Sequence, residues 1–190
     1  MRSLRRIVTI LKTHLSPLES FQASIHKLEP RLMRVLEEIQ NGLVNWVDLN
    51  NPLGTMDDHV GNEGAVALAE ALKVNSTVTH VDLGCNSIGV EGTIALAEAL
   101  KVNSTVTIIH LHDNAIGSEG AIALAEALKI NSTITLINLR GNTIGAAAAF
   151  RLAEALKFKS NAITVTLSGN SIDSETQNLI KRYSKYRIEF

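Results

Sequence analysis

A block of 28 residues recurs four times in succession between residues 64 and 175. The first copy, at 64–91, reads GAVALAEALKVNSTVTHVDLGCNSIGVE, and related copies occupy 92–119, 120–147 and 148–175. One such unit contains too few aliphatic side chains to offset the entropy that is lost when 28 residues become ordered. The units must therefore stack and share one continuous hydrophobic core, as in a solenoid.

Each unit carries two hydrophobic patterns in a fixed order. In the second copy the first pattern has helical spacing and comprises Ile94, Leu96, Ala97 and Leu100. The second pattern alternates as in a strand, because Ile109 and Leu111 are separated by His110. Strands that are each separated by a helix run parallel, and crossovers of this kind are right-handed. The sequence therefore predicts an α/β solenoid shaped as a horseshoe, with parallel strands on its concave face and helices on its convex face.

The end of each unit also carries a motif. Residues 78–89 read V-x-x-V-x-L-x-x-N-x-I-G, and closely related sequences recur at 106–117 and 134–145. The motif resembles the leucine-rich repeats of ribonuclease inhibitor, a repeat type that also occurs in NOD-like receptors, in the Ran GTPase-activating protein and in small bacterial or protist proteins. The resemblance covers residues 44 to about 185 and implies a right-handed leucine-rich-repeat solenoid that binds other proteins. It also implies a structural ladder of buried asparagines at Asn86, Asn114, Asn142 and Asn170.

Three segments follow from the extent of the repeats. Residues 1–43 read as helices that form an N-terminal cap, and residues 44–175 hold about five repeats, the first with an insertion at 51–57. Residues 176–190 are predicted to form a C-terminal capping helix and a terminal strand. We expect the two caps to protect the edges of the sheet, which would otherwise be open.

Composition narrows the classes of partner. The formal net charge is -1, from 18 basic and 19 acidic residues, so the chain generates no strong field toward nucleic acid. Cys85 is the only cysteine, which excludes an intrachain disulfide and favours a reducing compartment. The expected location is the cytoplasm, either of the cell that makes the protein or of a host cell that receives it. No apolar run approaches the ~18 residues that a membrane span requires.

The outward positions of the predicted strands differ most between units that are otherwise nearly identical. Such variation is typical of a surface that distinguishes one contact from another, and solenoids of this kind use their concave side for binding. The predicted protein-binding residues are Trp46, Asp48, His80, Asp82, Ile108, His110, His112, Asp113, Leu136, Asn138, Arg140 and Thr166.

Asp82, His110 and His112 carry side chains that can bind metal ions, and they lie on neighbouring predicted strands, with Asp113, Cys85 and His80 nearby. Three such ligands and a water molecule would form a catalytic zinc site. An ordinary polar recognition patch is the preferred interpretation, because the spacing matches no metal-binding motif. We therefore expect no cofactor, no metal ion and no catalytic residue.

The preferred function is a non-enzymatic protein-interaction module, either an effector delivered into host cells or a relative of innate sensors. One alternative is regulation of a small GTPase, with Arg140 next to Asn138 contacting a nucleotide phosphate. A second alternative is a self-associating structural protein, although a monomer is preferred. The Asn-Ser-Thr sequences that begin at Asn75, Asn103 and Asn131 are interpreted as structural turns, because they share one position of the repeat.

Overall fold

The computed structural model describes residues 30–53, 59–157, 159, 162–183 and 187–190. Within these residues six helices alternate with six strands. The helices are α1 (Pro30–Gln40), α2 (Gly61–Val74), α3 (Val90–Val102), α4 (Gly117–Ile130), α5 (Ala146–Leu156) and α6 (Ser174–Tyr183). The strands are β1 (Trp46–Asp48), β2 (His80–Asp82), β3 (Ile108–His110), β4 (Leu136–Asn138), β5 (Thr164–Thr166) and β6 (Arg187–Glu189). The helices expected in 1–29 and most of the insertion expected at 51–57 lie outside the described residues.

The strands β1 to β6 form one parallel sheet in the order of the sequence. Equivalent residues of successive repeats pair with each other, so that Val81 lies opposite Ile109 and Ile109 lies opposite Ile137. These three central residues are fully buried, whereas their neighbours in each strand are half-buried. One side of the sheet therefore faces the core, and the chain has the α/β solenoid architecture that the repeat predicts.

We call the other side of the sheet the strand face. It has three columns with one residue per repeat, and residues of a column are neighbours at about 4.8 Å strand spacing because the strands pair in register. The first column is Trp46, His80, Ile108, Leu136 and Thr164, the second is Asp48, Asp82, His110, Asn138 and Thr166, and the third, just past the strands, is Asn50, Gly84, His112, Arg140 and Ser168.

Leucines of the helices and aliphatic residues of the strands form one continuous core. Successive helices approach closely where the repeat has a small residue, since a Cβ added to Gly92 would lie 2.9 Å from the Cβ of Ala65. Ile94 belongs to the helical pattern but is 42% exposed, because residues two apart in a helix point about 200° apart and Leu96 takes the core side.

Asn114 shows how the turn after each strand is stabilised. Its Nδ2 donates to the carbonyl oxygens of Leu83 (2.9 Å) and Leu111 (3.1 Å). Its Oδ1 accepts from the backbone N–H groups of Asn86 (3.0 Å) and Ile88 (2.9 Å), so one amide joins two successive repeats. Related hydrogen bonds are made by the other asparagines of the expected ladder, Asn86, Asn142 and Asn170.

A second asparagine ladder lies at the C-terminal ends of the helices. The Nδ2 of Asn103 donates to the carbonyl oxygen of Leu72 (2.8 Å), and its Oδ1 accepts from the N–H of Val106 (2.8 Å). Asn131 makes the equivalent bonds one repeat later and is only 5% exposed. Asn-Ser-Thr is also the acceptor sequence for N-linked glycans, which are attached to the Nδ2 atom of the asparagine. Here that atom is a buried hydrogen-bond donor, so these Asn-Ser-Thr sequences act as structural turns.

Arg31 of α1 lies against the first strand of the sheet. Its Nη2 donates to the carbonyl oxygen of Asp48 (2.8 Å), and its Nη1 donates to that of Asn50 (3.3 Å). The helix that precedes the repeats thus occupies carbonyl groups at the end of β1, which would otherwise be open to pairing with a second chain. Among the described residues, no helix is both long enough and apolar enough to cross a lipid bilayer.

Candidate functional site

The first column of the strand face is mostly aromatic and aliphatic. Trp46 stands at the N-terminal end of this column and is 63% exposed. Its ring centroid lies 6.4 Å from that of His80, and the two rings are tilted by 50°. His80 is opposite Ile108, and Ile108 is opposite Leu136. The column therefore presents a row of largely apolar side chains on a backbone that the sheet holds fixed.

Three side chains of the second column bond to their own backbone. The Oδ1 atoms of Asp48, Asp82 and Asn138 accept hydrogen bonds from the N–H groups two residues further on, at 3.2, 3.0 and 3.1 Å respectively. Such turns end the strand locally. From the sequence these residues were expected to bind a partner, and Asp82 was also considered as a metal ligand. Their structural contact was missed, although an Asp or Asn at the same strand end in three repeats was a usable signal.

The structure does not assemble the metal ligands considered from the sequence, Asp82, His110 and His112. The rings of His110 and His112 lie edge to face with centroids 6.3 Å apart, but the carboxylate of Asp82 is turned toward the N–H of Gly84. The side chains that do meet are those of Cys85, His112 and Asp113, whose possible ligand atoms all lie within 4.8 Å of one another. We call this group the Cys–His–Asp cluster.

Cys85 and Asp113 occupy the same position in successive repeats and share an unusual backbone conformation. Their φ angles are 58° and 52°, in the left-handed region that residues with a Cβ rarely adopt. The same position in the next two repeats is Gly141 (φ 67°) and Gly169 (φ 69°). This turn therefore favours glycine, and at one place in the chain two metal-capable side chains replace it.

His112 packs against the backbone of the preceding repeat. Its ring occupies the space that a Cβ on Gly84 would need, so glycine at position 84 is required for this arrangement. Its Nδ1 is buried and has no hydrogen-bond partner among the described residues. A buried polar atom of this kind needs an explanation, because most of them are satisfied by a donor, an acceptor or an ion.

Charges next to the cluster act on the thiol of Cys85. Burial raises the pKa of Cys85, the negative charge of Asp113 raises it further, and the positive charge of Arg140 partly opposes them. Arg140 is held there by Asp113, with Nη2 3.2 Å from Oδ2. Near neutral pH the side chain of Cys85 is therefore a neutral thiol unless a bound cation displaces the proton.

Comparisons with known proteins agree with the architecture. A family model described as a leucine-rich repeat matches residues 74–97 and 102–125. The solved structure of leiomodin-1 actin-binding site 2 is similar with a TM-score of 0.63 and 26% sequence identity, over 79% of this chain and 87% of that one. No curated protein sequence matches significantly.

The C-terminal domain of tropomodulin from Caenorhabditis elegans also has a TM-score of 0.63, over 80% of this chain and 90% of that one. Its sequence identity of 12% supports the fold alone. A parallel sheet with one helix and one strand per repeat defines an α/β repeat protein. More specifically, the architecture is that of a leucine-rich-repeat solenoid of the ribonuclease-inhibitor-like kind.

Proposed function

We propose that the chain is a non-enzymatic interaction module that binds a protein partner through the strand face. One observation carries the proposal: Trp46, His80, Ile108 and Leu136 form an in-register row of accessible side chains on four adjacent strands. Aromatic and aliphatic groups surrounded by polar ones are typical of the centre of a protein interface.

The rest of the strand face supplies polar groups around that row. Asp82 and His110 lie beside it in the second column, and Arg140 lies in the third. The backbone beneath them belongs to one sheet, so little conformational entropy would be lost on binding. The strand face carries an exposed tryptophan and charges of both signs. We infer that such a surface binds a folded protein better than a flexible, uniformly negative polymer.

The similarity to leiomodin-1 makes actin the first partner to test. The leiomodin structure is that of an actin-binding site, and the present chain shares 26% of its sequence over most of both chains. A narrower proposal is that the chain is an effector or a sensor and acts in the cytoplasm as a monomer. This proposal rests on the repeat type only, and the partner has to be identified before it can be tested.

The test compares two exposed apolar residues on different parts of the molecule. Trp46 is 63% exposed on the strand face, and Val102 is 64% exposed at the end of α3. We expect purified Trp46→Ala to bind actin at least about tenfold more weakly than the wild type in calorimetry and co-sedimentation, because an interface tryptophan often contributes about 2 kcal/mol and about 1.4 kcal/mol is a factor of ten. Val102→Ala is expected to bind as the wild type does.

Equal affinity of Trp46→Ala and the wild type would contradict the role of the strand face. If the wild type binds neither actin monomers nor filaments, the partner is another protein. The two variants are then used as paired baits in a cell extract, and a protein retained by Val102→Ala but not by Trp46→Ala identifies it. A protein retained equally by both would count against the proposal.

A further inference from the structure

We propose that Cys85, His112 and Asp113 form a binding site for a zinc ion at the boundary between the repeats of β2 and β3. The possible ligand atoms of the three residues lie within 4.8 Å of one another. A thiolate sulfur, an imidazole nitrogen and a carboxylate oxygen are the ligand types that zinc takes in proteins. This inference is independent of the proposed function and of the identity of the protein partner.

The in-register pairing of the repeats brings the three residues together. Residues 84 and 112 are equivalent, as are residues 85 and 113, so His112 and Asp113 of one repeat lie beside Gly84 and Cys85 of the previous one. The backbone supports this placement, since the N–H of Cys85 donates to the carbonyl oxygen of His112 at 3.0 Å. A backbone hydrogen bond between the two repeats thus joins two of the three proposed ligand residues.

This combination occurs at one boundary among the repeats. One repeat later, the positions of His112 and Asp113 are taken by Arg140 and Gly141, and two repeats later by Ser168 and Gly169. A role in folding common to all repeats therefore does not explain a cysteine, a histidine and an aspartate here. In particular, the backbone favours glycine where Cys85 and Asp113 stand, as their φ angles of 58° and 52° show.

A second, independent observation points to a ligand. The Nδ1 of His112 is buried and has no hydrogen-bond partner among the described residues. A bond from a ring nitrogen to a metal ion holds the imidazole neutral and in one orientation, which would account for a ring packed against a glycine without a protein partner. The Asp113 carboxylate also has an outer partner, since its Oδ2 lies 3.2 Å from Nη2 of Arg140.

Three protein ligands leave one position of a tetrahedral zinc ion open. Because His112 belongs to the third column of the strand face, the proposed site borders the surface proposed to bind a partner. A water molecule or a side chain from outside can complete the coordination.

The test uses metal-free protein without a histidine tag, titrated with zinc chloride in a calorimeter and with cobalt chloride in a spectrophotometer. We expect one ion per chain and a charge-transfer band between cobalt and the thiolate. Cys85→Ser, His112→Gln and Asp113→Asn should each weaken zinc binding at least about tenfold. Asp113→Asn is the safest of these for folding, since asparagine tolerates a positive φ.

The matched controls are Asp82→Asn and His80→Gln, which change the same residue types on the same face but outside the cluster. They should bind zinc within about twofold of the wild type, as should Trp46→Ala. Gly84→Ala leaves every ligand in place but intrudes on the ring of His112, and it should weaken binding as the ligand variants do.

A measurement on the wild type alone protects the test against variants that fold poorly. Zinc should slow the alkylation of Cys85 by iodoacetamide, and a chelator should restore the rate. Unchanged alkylation, retained affinity in any one of the three ligand variants, or an equal loss in the two controls would overturn the site.

Discussion

The side-chain oxygen of Asn114 accepts a hydrogen bond from the backbone N–H of Asn86, its equivalent one repeat earlier, at 3.0 Å. The same oxygen accepts from Ile88, and the amide nitrogen donates to two carbonyl groups. The turn after each strand therefore depends on a side chain supplied by the next repeat, and this couples the folding of neighbours.

Replacing this amide is expected to be costly. Asn114→Ala leaves backbone donors and acceptors buried without partners, and we expect it to lower the free energy of unfolding by about 3 kcal/mol. Asn138→Ala, which removes one hydrogen bond to the N–H of Arg140 at the surface, should cost less than about 1 kcal/mol. Urea denaturation followed by circular dichroism measures both, and similar midpoints for the two variants would contradict the role of the ladder.

The core and the surface of one helix provide a second comparison. Leu100 is fully buried in α3, whereas Val102, two residues later, is 64% exposed. We expect Leu100→Ala to destabilise the chain by about 2 to 5 kcal/mol, because repeats on both sides prevent the cavity from closing. Val102→Ala should change stability by less than about 0.5 kcal/mol. Thermal denaturation of the two variants tests this, and an equal effect would indicate that the helix packs differently.

The ion pair between Arg140 and Asp113 should contribute little to stability. The Nη2 and Oδ2 atoms are 3.2 Å apart, but the side chains are 58% and 37% exposed. Water and salt screen such pairs, so Arg140→Ala is expected to cost less than about 1 kcal/mol, with a smaller effect at high salt. A double-mutant cycle with Asp113→Asn measures the coupling, and a much larger value would mean that the pair is more buried than its geometry shows.

The start of α6 should respond to acid. Asp173 accepts hydrogen bonds from the hydroxyl (2.6 Å) and the N–H (2.8 Å) of Thr176, which lower the pKa of its carboxyl group. A lowered pKa means that the stabilisation is fully present above the pKa of the unfolded chain and is lost as pH falls through the folded value.

Asp173→Ala should therefore be less stable than the wild type at neutral pH, and the difference in urea midpoint should shrink as the pH falls below the ordinary range of an aspartate. Asp173→Asn retains an acceptor for the N–H of Thr176 without a titrating charge, so its deficit should depend less on pH. A constant difference between Asp173→Ala and the wild type across this range would contradict the assignment.

Most of the architecture was predictable from the sequence because the repeat is nearly perfect. Once Ile109 is recognised as a strand residue, its equivalents at Val81 and Ile137 follow by counting, and so do the columns of the strand face. The exposure of Ile94 did not follow, because this helix carries an apolar residue outside the face that Leu96 and Leu100 turn toward the core.

The spacing of residues in the sequence does not predict which side chains form the Cys–His–Asp cluster. Asp82 turns toward its own backbone, and Cys85 adopts a positive φ, so the plain geometry of a strand misplaces both side chains. A signal was nevertheless present. Two later repeats have glycine at the position of Cys85, namely Gly141 and Gly169, which marks a turn with left-handed backbone geometry.

The same position also makes the molecule directional. Along the stack it changes from a thiol at Cys85 to a carboxylate at Asp113 and then to bare main chain at Gly141 and Gly169. Repeats with nearly identical core residues thus carry a surface whose two ends differ chemically. An elongated ligand laid along it would meet the thiol and the carboxylate toward one end only, and the complex reversed end for end would not be equivalent.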